Sequence, residues 1–481
     1  MNSHGLVRSL VFLIFSIAYS ITASAEGISV SNRAYTLDRF INESINKYSE
    51  IRLADLNINR LAYEMGKAQS QLGWILTSQG GYSRDASIYG LQSNTIDFSV
   101  GLQKLLASGN TVSVTGRYAR TKTEQVLFGF APNPSNIANL EINYRIPLLE
   151  GETNPKYLYA VKKANIEKKI SVLTKQQVKE KLIARLIDVY FAVVTIDSRL
   201  ATAKKSLKRA RKLRRYIKNN INLGLLEQGE ILQVNSQIYT LKLEQQKIID
   251  LREKQVALIN RFLEKDLSST FRIDAANTYK YKHDLNQQKI IGIVKAHNYE
   301  IEKLKAQKEL IDSALSLSRN REKDKLDVVL SLGVQNRRGD IGNTAINDTD
   351  TTGMLKLEYR NAIDKRAFSS ERLQLQIDKK SNNERMVSIV EDLKYETFDL
   401  LKQIERSKEI VGITESRYSN ETKKYRDILK RFRTGRATTN TVIQFDNDRI
   451  RAELDTETEK YELAKRFSLL KLKQGLFLNS K

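Results

Sequence analysis

The feature that most limits what this chain can become is the distance over which helical spacing persists. From Glu152 to Asn222, and again from Asp364 to Phe432, apolar residues recur three and four apart for nearly seventy residues. A helix of around 65 residues is roughly 100 Å long at 1.5 Å per residue. No single globule buries such a rod, so it must pack in antiparallel pairs and between copies of the chain. Each run stops at a glycine, in Leu223-Gly224-Leu225-Leu226 and in Thr434-Gly435-Arg436. Helical spacing then resumes, from about Glu230 to Leu267 and from about Thr438 to Phe477. Glycine accepts the left-handed conformation that ends helices, so each break reads as a reversal. Only four prolines in 481 residues, with 28% charged residues, suit such helices.

Two segments break the helical pattern. Between Trp74 and Gly151 the apolar residues alternate instead: Ile96, Phe98, Val100 and Leu102 share one face, as do Val112, Val114, Gly116 and Tyr118. Asp97, Ser99, Ser113 and Thr115 lie opposite. Gly80-Gly81, Gly90, Ser108-Gly109-Asn110 and Pro132-Asn133-Pro134 punctuate the segment as turns. A shorter insert of the same kind, Leu326 to Arg360, occupies the corresponding place later on. Helical spacing precedes each insert, over Leu37–Leu72 and Leu285–Asn320, and Ser268–Asp284 reads as an irregular connector.

The order of elements repeats. Ala54 and Ala306, Ala62 and Ala314, and Gly81 and Gly333 are each separated by 252, whereas Asp188 and Asp399, and Gly224 and Gly435, are separated by 211. One duplication fits both sets if the first insert is longer by 41 residues, enough for one extra hairpin. The expected organisation is a signal peptide over 1–25, a first repeat over 26–283 and a second over 284–481. The first repeat carries its β insert at 74–148 and a helix-pair turn at 222–229; the second carries an insert at 326–360 and a turn at 433–437.

The signal peptide rests on Arg8, the apolar run Leu10–Ile21 and Ala23-Ser24-Ala25, so the mature chain is expected to begin near Glu26. No other run reaches the roughly 18 apolar residues of a spanning helix, which leaves a soluble exported protein or a β-barrel. The absence of cysteine excludes a disulfide framework, a thiolate metal site and a lipidated cysteine. The formal charge of +24 falls to +23 without the leader; on an exported chain this concerns a solute or partner rather than nucleic acid.

With these pieces in place the chain resembles the TolC-like outer membrane efflux and secretion channels, the outer membrane factors of tripartite efflux pumps and type I secretion. The resemblance is carried by Ile146-Pro147-Leu148-Leu149-Glu150-Gly151 after a strand and by Leu105-Leu106-Ala107-Ser108-Gly109-Asn110-Thr111-Val112 within the first insert. The two turns carry the rest, from Asn222 through Gly224 and Gly229 to Gln233, and from Phe432 through Gly435 to Gln444. The resemblance implies a mixed α and β membrane protein: a homotrimer sharing one transmembrane β-barrel, with long antiparallel helices forming a periplasmic α-barrel. It implies the outer membrane of a Gram-negative bacterium, extension into the periplasm, and a periplasmic adaptor working with an inner-membrane transporter. The adaptor-docking tips would be Gly224, Leu225, Leu226, Gly435, Arg436 and Ala437. The family contributes two strands per half, so the 41 extra residues add either a pair of barrel strands or an extracellular flap. The family also places acids just beyond the second turn, narrowing the aperture; here those positions are Thr441 and Gln444, with Asp446 and Asp448 the nearest acids. The matching positions after the first turn are Glu230 and Gln233. A strong cation preference is therefore not expected.

Other chemistry is weakly signalled. The basic run Lys204 to Arg215 is better read, on an exported helical chain, as a solvated face or tunnel lining than as a nucleic-acid patch. Gly224 and Gly229 have phosphate-loop spacing, but Glu230 stands where lysine is needed. His283 and His297, the two histidines beyond the leader, make a poor metal site. Trp74, Tyr82, Tyr89, Phe128, Phe130 and Tyr144 could form an aromatic girdle at a lipid boundary or simply pack between strands. Two other classes compete. A soluble periplasmic coiled-coil adaptor or scaffold would lack the β inserts, and a secreted enzyme would need a nucleophile motif, metal cluster or cofactor loop. None is found, so no enzyme and no cofactor is expected.

Overall fold

The computed structural model describes residues 34–86, 92–124, 132–149, 154–274 and 286–477. The leader and its cleavage site, Gly90, Tyr89, Phe128, Phe130, Glu150, Gly151 and His283 lie outside the described residues. Two short helices, α1 (Leu37–Lys47) and α2 (Ser49–Ser70), lead into strands β1 (Trp74–Ala86), β2 (Gln92–Leu105), β3 (Thr111–Thr123) and β4 (Ser135–Pro147). A 68-residue helix, α3 (Pro155–Asn222), is followed by α4 (Gly229–Phe262). Next come α5 (Gln287–His297), α6 (Tyr299–Arg321), β5 (Lys325–Ile341) and β6 (Thr344–Arg360). A second 68-residue helix, α7 (Arg366–Arg433), and α8 (Thr439–Lys473) complete the chain. Among the described residues no helix is long and apolar enough to cross a membrane.

The long helices start and stop for local reasons. Pro155 sits in the first turn of α3, where its missing N–H costs nothing, and the Asn154 side chain accepts the N–H of Tyr157 at 3.0 Å. Both helices end in the same hydrogen-bonded motif. Gly224 and Gly435 adopt φ of +74° and +70°. Leu225 N donates to Asn220 O at 2.8 Å and Arg436 N to Arg431 O at 2.8 Å, while each glycine N–H returns to the carbonyl three residues back.

The return helices are only half as long, 34 residues in α4 and 35 in α8. The runs read as single helices over 37–72 and 285–320 are each two. Tyr48 and Asn298 are extended at the joints, and Asn298 caps α6 by accepting the N–H of Ile301 at 3.0 Å. The α4 helix stops at Phe262, short of the expected Leu267, because Glu264 takes a left-handed φ of 50° and Lys265 N bonds back to Asn260 O. No glycine marks that stop. The Glu264 carboxylate instead binds Arg52 of α2 at 2.7 Å.

These breaks surround the main core. Leu182, Ile183, Leu186, Ile187, Tyr190, Phe191 and Val193 of α3 are buried against Phe40 and Ile41 of α1, Ile259 and Phe262 of α4, and Tyr461 and Ala464 of α8. Each fully buried large side chain contributes about 1.5–3 kcal/mol. The Tyr190 hydroxyl donates to the carbonyls of Tyr35 and Asp274, both at 3.2 Å, beside the parallel bridge from Tyr35 to Ile273. This knot fixes the middle of the rod and leaves its two ends to do different things.

At one end all six strands form one antiparallel sheet in sequence order, β1-β2-β3-β4-β5-β6. The surplus residues of the first insert therefore add a strand pair to the sheet itself. The register aligns Leu76, Leu102, Val114, Ile142, Leu332 and Gly353 across the sheet, with Ser78, Val100, Gly116, Leu140, Val334 and Thr351 two residues along. The intervening row, on the opposite face, is Thr77, Gly101, Thr115, Glu141, Gly333 and Thr352. One face is thus apolar and the other polar. Leu76, Phe98, Leu140, Leu332 and Leu357 are each more than half exposed. Trp74, Tyr144 and Tyr359 stand on the apolar face near the helices, and Tyr82 and Tyr118 toward the far end. On the polar face Arg145 ties β4 to both following strands, through Asp327 at 2.7 Å and Glu358 at 2.9 Å.

The facing yields a test. A charge near the midplane of a barrel costs about 2–4 kcal/mol on the lipid side and little in the lumen. Val100→Arg should sharply lower the yield of folded protein in the membrane fraction, whereas Ser99→Arg, one residue along, should leave it near wild type. Equal yields would contradict the facing.

Candidate functional site

The other end of the rod is the helical tip, built from two hairpins. In this half α3 packs against α4 and α8, and α8 against α7. Leu207, Ala210 and Ile217 of α3 meet Val234 and Ile238 of α4, Phe432 of α7 and Val442 of α8 in a small buried core. The Tyr216 and Phe432 rings lie 5.7 Å apart. The turn residues divide by role. Leu223 and Leu225 are exposed, whereas Leu226 and Ala437 pack against the tip core. Gly224 and Gly435 have open space where a side chain would stand, so their left-handed conformation, not crowding, calls for glycine.

The aperture candidates take three different places. Thr441 lies in the first turn of α8, where Thr438 accepts its N–H and their hydroxyls are 2.9 Å apart. Gln444 is exposed. Asp446 is buried, and its carboxylate is held by two guanidiniums, Arg209 of α3 at 3.1 Å and Arg449 of α8 at 3.2 Å. Arg449 also reaches Glu453 at 3.4 Å and lies over the Tyr425 ring of α7 at 5.6 Å. Lys205 approaches Glu453 at 3.8 Å. Burial, with the Asp446 carboxylate nearby, raises the Tyr425 phenol above its ordinary pKa. Beside this cluster Gln237 of α4 donates to Asn447 of α8 at 2.8 Å.

Helices α3 and α8 thus share one charge network, with the Tyr425 ring of α7 against it, that sequence reading did not assemble. Asp446, Arg449 and Glu453 are three and four apart on one helix face, a spacing that could have flagged them. Arg209 was hidden within a basic run whose other members are mostly exposed. His297 Nδ1 donates to the Ile293 carbonyl at 3.0 Å, and the ring packs beside Gly475. Among the described residues no group of three or more His, Asp or Glu could hold a metal ion.

No family model matches the chain, and no curated protein matches its sequence. Solved structures do match its shape. It aligns with the outer membrane protein VceC of Vibrio cholerae at a TM-score of 0.66 and 10% identity, over 91% of this chain and 96% of that one. The CmeC outer membrane channel of Campylobacter jejuni gives 0.63 and 12%, over 91% and 85%. The open state of the MtrE outer membrane channel of Neisseria gonorrhoeae gives 0.61 and 13%, over 91% and 88%. The fold is that of these outer membrane channel-tunnels, which bears out the resemblance read from the sequence at the level of architecture.

Removing one member of a buried ion cluster leaves its partners uncompensated, at about 3–5 kcal/mol. Asp446→Ala would leave Arg209 and Arg449 facing each other. Hydrogen exchange should then accelerate across 205–240 and 425–455 while the core around Tyr190 stays protected. Unchanged exchange at the tip would show that the cluster does not hold the hairpins together.

Proposed function

We propose that this chain is the outer membrane channel of a periplasm-spanning export system, working as a homotrimer with a periplasmic adaptor and an inner-membrane transporter. The observation that carries this reading is the two-faced sheet. Among the described residues its apolar face has no partner, and its edge strands β1 and β6 each leave a row of backbone groups unpaired. Lipid tolerates an apolar face but no open edge, so such a sheet reaches a bilayer only by closing into a barrel. The strands alternate in direction, so β6 of one copy meets β1 of the next antiparallel, as closure needs. Three copies would supply eighteen strands, a size at which barrels enclose an aqueous channel.

The exposed apolar residues of α4 and α7 support the same assembly below the membrane. Leu232, Tyr239 and Leu243 on one and Tyr395, Phe398, Ile410 and Ile413 on the other await a neighbour. The fold relatives are outer membrane channels, which favours transport over catalysis and supports a barrel in a Gram-negative outer membrane. A soluble adaptor or scaffold gives no account of the apolar sheet face. The tip turns around Gly224 and Gly435 would be the periplasmic end, where the adaptor docks. There the hairpins would open by parting the Arg209–Asp446 contact.

Planar-bilayer recording tests both the channel and its aperture. The purified chain should form pores without strong cation preference, because Thr441 and Gln444 are uncharged and Asp446 is already neutralised by two guanidiniums. Reversal potentials under a KCl gradient at low salt, where screening is weakest, read this directly. Absence of pores, with the protein washed from membranes by salt, would overturn the channel reading. Pores with marked cation selectivity would overturn the aperture reading alone.

A further inference from the structure

Charges at the far end of the sheet are sorted by face. The row Tyr82, Ile96, Arg120, Asn136, Arg338 and Asn347 crosses all six strands on the apolar face. Arg84, Asn94 and Lys122 follow two residues further out on that same face. The acids Asp85, Asp97, Asp348 and Asp350 stand on the opposite face, with Arg117 and Arg337 among them. On the cations' own side the described acids are Asp340 and, beyond the end of β3, Glu124, which lies 3.8 Å from Arg84. Arg120, Lys122 and Arg338 are exposed, and among the described residues they make no ion pair. The neighbouring stretches 87–91 and 125–131 contain no acid. Like charges this close repel, so the patch is unfavourable in the isolated chain.

Resting on the channel reading above, we infer that this patch is a binding site for a membrane lipid whose headgroup carries two phosphates. Its height is that of a headgroup layer. Tyr82 and Arg84 lie eight and ten residues beyond Trp74 on β1. At about 3.4 Å per residue and a tilt of about 40° these rise roughly 21–26 Å, and a barrel's apolar band is about 25 Å tall. Long cationic side chains at that level lay their stems on the band and hold their charge among headgroups. The two ends of the band differ. At the helix end the cation on the apolar face is Lys104, whose ammonium lies over the Trp74 ring at 5.4 Å. The spacing suits two anions rather than one. Arg120 and Lys122 are neighbours on one strand, whereas Arg338 stands two strands away, roughly 10 Å. Guanidinium forks bind phosphate oxygens in pairs. Arg338 is oriented by Asn347, whose side-chain carbonyl accepts its Nε at 3.0 Å. Asn94 accepts the Tyr82 hydroxyl at 3.1 Å through its carbonyl, which leaves its amide N–H groups for a headgroup oxygen. A rim that met only water would not need its cations on the lipid side and its acids on the other.

The test uses the full chain in detergent micelles doped with equal amounts of two lipids: an acylated glucosamine disaccharide bearing two phosphates, and the same lipid bearing one. Native mass spectrometry counts the lipids each chain retains. The two-phosphate lipid should be preferred at least about tenfold. Combining Arg120→Gln, Lys122→Gln and Arg338→Gln should bring that ratio close to one. Arg117→Gln with Arg337→Gln, on the opposite face, should leave it unchanged. If the triple variant assembles poorly, Arg338→Gln alone should still lower the ratio several-fold. Inorganic pyrophosphate, equimolar with the lipid, should not displace it. Equal retention of the two lipids by the unsubstituted chain would overturn the proposal, as would a preference that survives the glutamine substitutions. Displacement by pyrophosphate would assign the patch to a soluble anion, and loss in the opposite-face variant would move the site to the other side of the sheet; either overturns it. Pores are recorded separately in phosphatidylcholine bilayers without the glycolipid. A failed lipid site therefore leaves the channel reading standing, and a failed channel is seen whatever lipid is retained.

Discussion

A backbone N–H or C=O left unpaired in hydrocarbon costs several kcal/mol, and this chain ends its sheet with two rows of them. That requirement organises everything else. On the proposed reading, the sheet finds its missing neighbours in other copies. Side chains agree with the backbone: the register brings leucines, valines and aromatics into one band, and threonines, asparagines, glycines and paired charges onto the other face. Two 68-residue helices then run away from the sheet, held at mid-length by the core around Tyr190.

The two ends of the rod are stabilised by different physics. Apolar burial fixes the middle, and packing against lipid would fix the sheet. At the tip only a small apolar core remains, and a buried charge network joins the hairpins. Such networks are poor sources of net stability but strict about geometry. They suit a junction that has to hold one arrangement and release it.

Much of this was legible in the sequence. The change from helical to alternating spacing located both inserts to within a few residues, and the glycines placed the reversals. Wherever backbone conformation depends on a residue with no special propensity, the sequence was silent. The stop at Glu264, left-handed without being glycine, and the joint at Tyr48 are set by tertiary contacts with Arg52 and Phe262. The surplus length of the first insert signalled a hairpin but not its destination, because joining a sheet and covering it need the same alternating pattern. Asp446 was visible as an acid near the aperture. Of its two arginine partners, Arg449 lies three residues on along the same helix, whereas Arg209 is 237 residues away, beyond any local pattern.

The most direct measurement is electron cryomicroscopy of the full chain in lipid nanodiscs, counting strands around the membrane barrel. Shared closure through β1 and β6 predicts a continuous ring with six strands from each copy, eighteen in a trimer, the Ile96–Phe98–Val100 face toward lipid. A ring with four strands per copy and the remaining pair folded away, or a sheet whose polar face meets lipid, would contradict the account.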